Sequence, residues 1–312
     1  MTDFTVRASF PTAMRRRRGT GTISPAVVAA LLLAPSLAVL ALFTYGPLLQ
    51  LGWDALHVRQ GTGSATVFAG ATNFRAVLAD PSFRNALLNN VVFAVITLVP
   101  SLVLALGCAM ALARSSRLNN ALRGMLFFPV LIPLVAAASL FLFIFLPGVG
   151  LLDHYIGRFF TNPPNWLGDP DIALASLATV TIWKNAGYYM LFFLAGLQSV
   201  PPDAYEAAYL DGATPWQRLR YVTLPYLKPT IAFVAVIALL SIVTQVDHVF
   251  VLTKGGPSEA TNLVLFYIYQ QAVENYDIGR ASAATLLSLT ALLALTFASL
   301  GTLERAFGGD RA

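Results

Sequence analysis

Six stretches of the chain are almost continuously apolar, and the polar residues gather between them. They run approximately from Ala26 to Leu51, Ala86 to Ala113, Ala121 to Leu146, Ile172 to Leu197, Tyr226 to Leu252 and Ala281 to Leu303. Each is long enough to cross a bilayer as a helix, which takes about 20 apolar residues. Leu, Ala, Val and Phe follow one another without the alternation of a barrel strand, so the backbone must satisfy its hydrogen bonds within each segment. The pattern predicts an all-α integral membrane protein with six transmembrane helices.

Composition strengthens this picture. The chain is 57% hydrophobic and 11% charged, with a mean hydropathy of +0.68, whereas soluble domains carry about 25% charged residues. Cys108 is the single cysteine, which excludes an intrachain disulfide and a thiolate metal site. The run Arg15 to Arg18 before the first apolar stretch resembles a signal peptide, but that stretch exceeds a signal core and no A-x-A site follows it. A retained first helix is expected.

Charge sets the orientation. With a cytoplasmic N-terminus, thirteen of the 20 Lys and Arg residues fall on inner segments and six on outer ones, Lys184 lying inside a span. The positive-inside rule then places both termini of this multi-pass chain in the cytoplasm. The net charge of +5 is explained by topology and anionic membrane lipid, and no nucleic-acid partner is needed.

Residues 1–25 read as a disordered, basic cytoplasmic tail, and 26–312 as one membrane domain. On the outer side, Asn73 to Leu78 predicts an interfacial helix. Asn162-Pro163-Pro164-Asn165-Trp166 predicts a surface-lying turn, and Leu263 to Val273 a piece too short to span, re-entrant or along the outer surface.

The most informative stretch is polar and lies between the fourth and fifth spans, from Pro201 to Pro225. Pro202 suits a first helical turn and Asp203 the positive end of the helix dipole. Gly212 stands where a helix ends in a left-handed residue. Thr214 can cap a second helix opened by Pro215, and Pro225 is expected to end it.

Here the sequence resembles the cytoplasmic signature of the binding-protein-dependent ABC importer permeases, which reads E-A-A, three residues, G, nine residues, I-x-L-P. Glu206-Ala207-Ala208, Gly212 and Val222-Thr223-Leu224-Pro225 match it, with Val for Ile. Trp183-Lys184, the phrase Leu197-Gln198-Ser199-Val200-Pro201 and Gly255-Gly256-Pro257 are similar to the carbohydrate-type permeases of the maltose and glycerol-3-phosphate importers. The resemblance implies that the loop is a coupling element docking on an ATPase subunit through Glu206, Ala207, Ala208, Asp211, Gly212, Leu224 and Pro225. It further implies a sister permease in a heterodimer, two ATP-binding subunits that hold ATP and Mg, and an extracytoplasmic solute-binding protein. This chain itself would bind no cofactor.

Ionisable groups inside spans cost about 2.5–3.5 kcal/mol each on insertion scales and ask for a reason. Lys184, Asn185, Tyr188, Gln245 and Asp247 are candidates for the solute path, offering hydrogen bonds to hydroxyls or an anionic group. Lys184 could equally pair with Asp247 or snorkel; His248 reads as a packed helix residue. Catalysis has little support: no P-loop, H-E-x-x-H or G-x-S-x-G pattern occurs, and His57, His154 and His248 are scattered. The expected function is thus the permease of an ATP-driven importer for a sugar or sugar-like solute, an oligosaccharide, polyol or glycerol-3-phosphate. An ion-coupled secondary transporter is the alternative.

Overall fold

The computed structural model describes residues 24–59, 66–156 and 164–308. The expected tail up to residue 23, the glycine-rich 60–65 and Asn162-Pro163 fall outside the described residues. The chain divides into two compact units after Gln50. In the first, α1 (Pro25–Leu40) passes through a wide π turn (Ala41–Tyr45) into α2 (Gly46–Ala55), which carries the chain into the second unit. Pro25 opens α1 at a position whose N–H would be unpaired in any case. Leu32, Phe43 and Leu49 are among the many exposed apolar side chains of this unit.

The second unit begins with a hairpin that periodicity did not reveal, β1 (His57–Arg59) pairing antiparallel with β2 (Thr66–Phe68). Where a helix was expected near Asn73, α3 runs over Thr72–Ala79. Asn73 fastens it to the hairpin region, its Nδ2 donating to the carbonyls of Ala55 and His57, both at 2.9 Å. Then α4 (Pro81–Ala111) starts behind an Asp80 carboxylate that accepts from Ser82 N at 2.9 Å, a side-chain N-cap.

After α4 come α5 (Arg117–Leu131), α6 (Leu134–Ile144), α7 (Leu151–Tyr155) and α8 (Pro170–Leu197). Arg123 of α5 donates to the Leu112 and Ala113 carbonyls at the end of α4, supplying donors that a helix C-terminus lacks. Next are α9 (Pro202–Leu210), α10 (Pro215–Arg218), α11 (Leu224–Thr244) and α12 (Asp247–Leu252), followed by α13 (Val264–Tyr269) and α14 (Ile278–Gly308).

Four helical stretches are long and apolar enough to span a bilayer, Ala26–Ala55, Pro81–Ala111, Pro215–Leu252 and Ile278–Phe297, with α5 plus α6 a fifth if the bent pair is one span. α8 is of similar length, at 28 residues, and half of them are buried among the other helices, the polar Lys184 and Asn185 included. A helix surrounded by protein has no need of an apolar surface on every side. Small residues bring it close to its neighbours. A Cβ on Gly187 would lie 1.7 Å from the Leu126 carbonyl oxygen, so α8 and α5 touch backbone to backbone.

Two spans expected as single helices are interrupted. The third turns by 101° between α5 and α6, where Pro133 has no N–H to offer the preceding turn. The fifth breaks at Gln245, whose extended backbone (ψ 116°) ends α11. The short second halves, α6 and α12, pack on each other, with Phe141, Val249 and Leu252 in one buried cluster. Pro225, expected to end the helix before the fifth span, does not: a π turn over Leu219–Thr223 joins α10 to α11, and Pro225 sits in the first turn of α11. The widened turn accommodates the missing proline donor.

Outside the spans, α13 is a buried element rather than a surface one, with Val264, Phe266 and Tyr267 enclosed. Tyr267 donates to the Asp80 carboxylate at 2.7 Å; burial foremost, then that carboxylate, raises its pKa above the ordinary tyrosine value. Of the expected surface turn, Trp166 is held by its Nε1 donating to Asp153 at 2.7 Å.

Candidate functional site

The stretch between α8 and α11 forms two short helices at a fixed angle, built from local signals. α9 ends in a left-handed residue, Gly212 at φ +71°, where any side chain would cost about 1–2 kcal/mol. Gly212 N donates to the Tyr209 carbonyl at 3.0 Å and Ala213 N to the Ala208 carbonyl at 2.9 Å. These paired bonds make a Schellman turn and satisfy the last carbonyls of α9. α10 then opens with a reciprocal capping box: Gln217 N donates to Thr214 Oγ1 at 3.3 Å, and Thr214 N to Gln217 Oε1 at 2.7 Å. Tyr205 and Thr223 hydroxyls meet at 3.0 Å, tying α9 to the π turn.

The residues expected to couple are distributed over this element. Glu206, Ala207 and Asp211 are exposed, Ala208 and Leu224 are half-buried, and Pro225 is exposed at the entry of α11. Around them stand Tyr209, Leu210, Trp216 and Tyr221, between 66% and 86% exposed. Four large apolar side chains in so short a polar segment are a surface that gains by being covered.

The candidates for the solute path lie at the two helix breaks. Asn185 Nδ2 donates to Gln245 Oε1 at 3.3 Å, linking α8 to the end of α11. Tyr188, one turn further along α8, is half-buried, and Asp247 is exposed in the first turn of α12, where the helix dipole favours a carboxylate. Lys184 lies beside the break between α5 and α6. Its Nζ donates to the carbonyls of Pro129 at 3.3 Å, Val130 at 3.0 Å and Ile132, so its donors are occupied within the chain. It forms no ion pair with Asp247, and the ion pair among the described residues joins Arg280 to Asp277. His248 is fully buried, stacked on Phe93 with ring centroids 5.5 Å apart, and neither ring nitrogen has a partner among the described residues.

A cavity of about 430 Å³ opens elsewhere, between α4, α11, α13 and α14, lined by Leu87, Val91, Leu239, Val243, Leu289 and Leu292 among others. Its apolar wall offers hydroxyl groups few partners, and it holds none of the candidates.

Residues 101–308 match the family described as binding-protein-dependent transport system inner membrane component. The chain belongs to this family. It is 32% identical over 269 residues to the sn-glycerol-3-phosphate transport system permease protein UgpA of Agrobacterium fabrum, covering 85% of this chain and 91% of that protein. To the trehalose/maltose transport system permease protein MalF of Thermococcus litoralis it is 29% identical over 273 residues, covering 86% and 91%. A chain from the crystal structure of a bacterial ABC transporter involved in the import of the acidic polysaccharide alginate has the same fold, with a TM-score of 0.76 at 23% identity over 89% of this chain and 95% of that one. The protein is therefore the membrane component of a binding-protein-dependent transporter, a multi-pass membrane permease.

Within this permease, some organising residues escaped sequence reasoning. Asn85, Asn89 and Asn90 of α4 reach across to the segment after α12: the first two donate to the Glu259 carbonyl at 3.0 and 2.8 Å, Asn89 also to the Asn262 carbonyl at 3.0 Å, and Asn90 accepts from Val264 N at 2.8 Å. Their signal was available as amides recurring near the start of an apolar helix, Asn85 and Asn89 on one face at i and i+4 with Asn90 beside them. Nothing in the sequence named their partners, about 170 residues away.

Proposed function

We propose that this permease is one of two membrane subunits of an ATP-driven importer for a sugar or sugar-like solute, an oligosaccharide, a polyol or glycerol-3-phosphate. The carrying observation is the rigid α9–Gly212–α10 element with its exposed Glu206, Tyr209, Leu210 and Trp216. In this reading it docks on an ATP-binding subunit, one of two that hold ATP and Mg and perform the hydrolysis. Counting the buried α8 and the bent α5–α6 pair, six helices cross the membrane, with both termini and the coupling element in the cytoplasm. The sister permease completes a heterodimer, and a solute-binding protein meets the outer loops. The transport names of the relatives support the solute class.

Solute passes α8 and the break after α11, where Asn185, Tyr188, Gln245 and Asp247 offer hydrogen bonds to hydroxyls. Because α9 follows α8 directly and α10 runs through the π turn into α11, a push on the docked element reaches both helices. Single cysteines at Glu206 and Gly212, with Cys108 removed, test the reading. Crosslinks to an ATPase subunit that change with nucleotide are expected. A chain that transports in membranes without any ATPase subunit, as an ion-coupled carrier would, overturns it.

A further inference from the structure

The third span breaks inside an apolar stretch, where hydrocarbon supplies no hydrogen-bonding partner for freed carbonyls. The last carbonyls of α5 are such groups. Pro129 O would ordinarily accept from residue 133, but Pro133 has no N–H, which leaves it the tighter bond from Ile132 N at 3.2 Å and a second lone pair to fill. The next carbonyl, Val130 O, would accept from Leu134, which has already turned away into α6 through the 101° bend.

Lys184 meets this deficit. Its three ammonium donors match three carbonyls, those of Pro129, Val130 and Ile132. The side chain is 7% exposed and has no acidic partner among the described residues. A buried cation without a counter-ion is costly, and so is a helix end without donors. Here each cost offsets the other, since the negative end of the α5 dipole also faces the ammonium. Gly187, one turn along α8, permits the backbone contact with Leu126 that brings Lys184 into reach.

We propose that Lys184 is a positioning residue: it caps α5 in trans, holds the α5–α6 bend, and thereby sets α6 against α12, the outer half of the helix whose break lies beside the solute path. It is not itself a ligand of the solute. The next residue, Asn185, reaches the other break through Gln245, so consecutive residues of α8 brace both interruptions.

The test uses the full chain in its membrane complex, comparing Lys184→Met, Lys184→Arg and the double variant Lys184→Met/Pro133→Ala. Lys184→Met is expected to lose uptake and to melt several degrees lower, whereas Lys184→Arg, which keeps charge and donors, retains most of both. Pro133→Ala restores an N–H opposite Pro129 and lets the helix run on, so the double variant regains the melting temperature but not uptake. If Lys184→Met alone fails to fold, recovery of folded protein in the double variant supports the proposal equally.

Spin labels at the partly exposed positions 122 and 142, with Cys108 replaced, read the bend itself. At about 1.5 Å per residue, two ten-residue legs at the observed bend of 101° place the sites about 19 Å apart on the helix axes, against about 30 Å when straight. Lengthening in the double variant supports the proposal. A native-like melting temperature in Lys184→Met with only a raised transport KM would make Lys184 a solute ligand and overturn it, as would a double variant that recovers no stability. Melting temperature and label distance do not depend on the solute, so failure of the importer reading would leave them interpretable.

Discussion

Gly187→Ala places one methyl group where the structure leaves no room for it. The new Cβ would sit 1.7 Å from Leu126 O and 2.4 Å from its carbonyl carbon, about half of a normal contact, and both atoms are backbone that cannot rotate away. α8 and α5 must therefore separate by roughly 1.5 Å, an overpacking cost of about 1–3 kcal/mol. The same displacement stretches the bonds from Lys184 to Pro129 and Val130, now 3.3 and 3.0 Å, past useful length. Losing bonds to a charged donor adds about 1.5–3 kcal/mol, so a total near 4 kcal/mol is expected, almost a thousandfold in the unfolding equilibrium at about 1.4 kcal/mol per decade. Gly107→Ala is the control: it lies in α4 with nothing within 4 Å of its new Cβ, and should change stability by less than about 1 kcal/mol. Unfolding followed by tryptophan fluorescence in detergent micelles compares the two. Equal stability of both variants would refute the backbone contact and the reach of Lys184 that depends on it.

Gly212→Val is expected to strain the turn between α9 and α10 by about 1–2 kcal/mol without any clash, since nothing lies within 4 Å of its Cβ; the chain should fold while its capture by ATPase subunits in pull-down weakens several-fold. Asn73→Ala removes both donors to the Ala55 and His57 carbonyls and should cost about 1–3 kcal/mol, seen as faster amide exchange in β1 and α3. Tyr267→Phe deletes the bond to Asp80; a loss of about 1.5–3 kcal/mol is expected, and thermal unfolding unchanged from native would show that water replaces the hydroxyl.

Much of this permease was legible in the chain because the deciding physics is local. Twenty apolar residues in a row need a bilayer wherever they occur, so Pro81–Ala111 and Ile278–Phe297 emerge as spans from composition alone. The α9–α10 element is equally local: Pro202, Gly212, Thr214 and Gln217 each act on backbone groups within five residues. What the tertiary structure decided is where the helices stop and what their buried polar groups meet. The breaks at Pro133 and Gln245 sit inside apolar runs that hydropathy reads as continuous. The partners of Lys184 lie 52 to 55 residues earlier in the chain. Hydropathy measures transfer of each residue from water and is blind to direction, so it registered Lys184 as an anomaly. Contact between α8 and α5, permitted by a glycine, turned that anomaly into a cap.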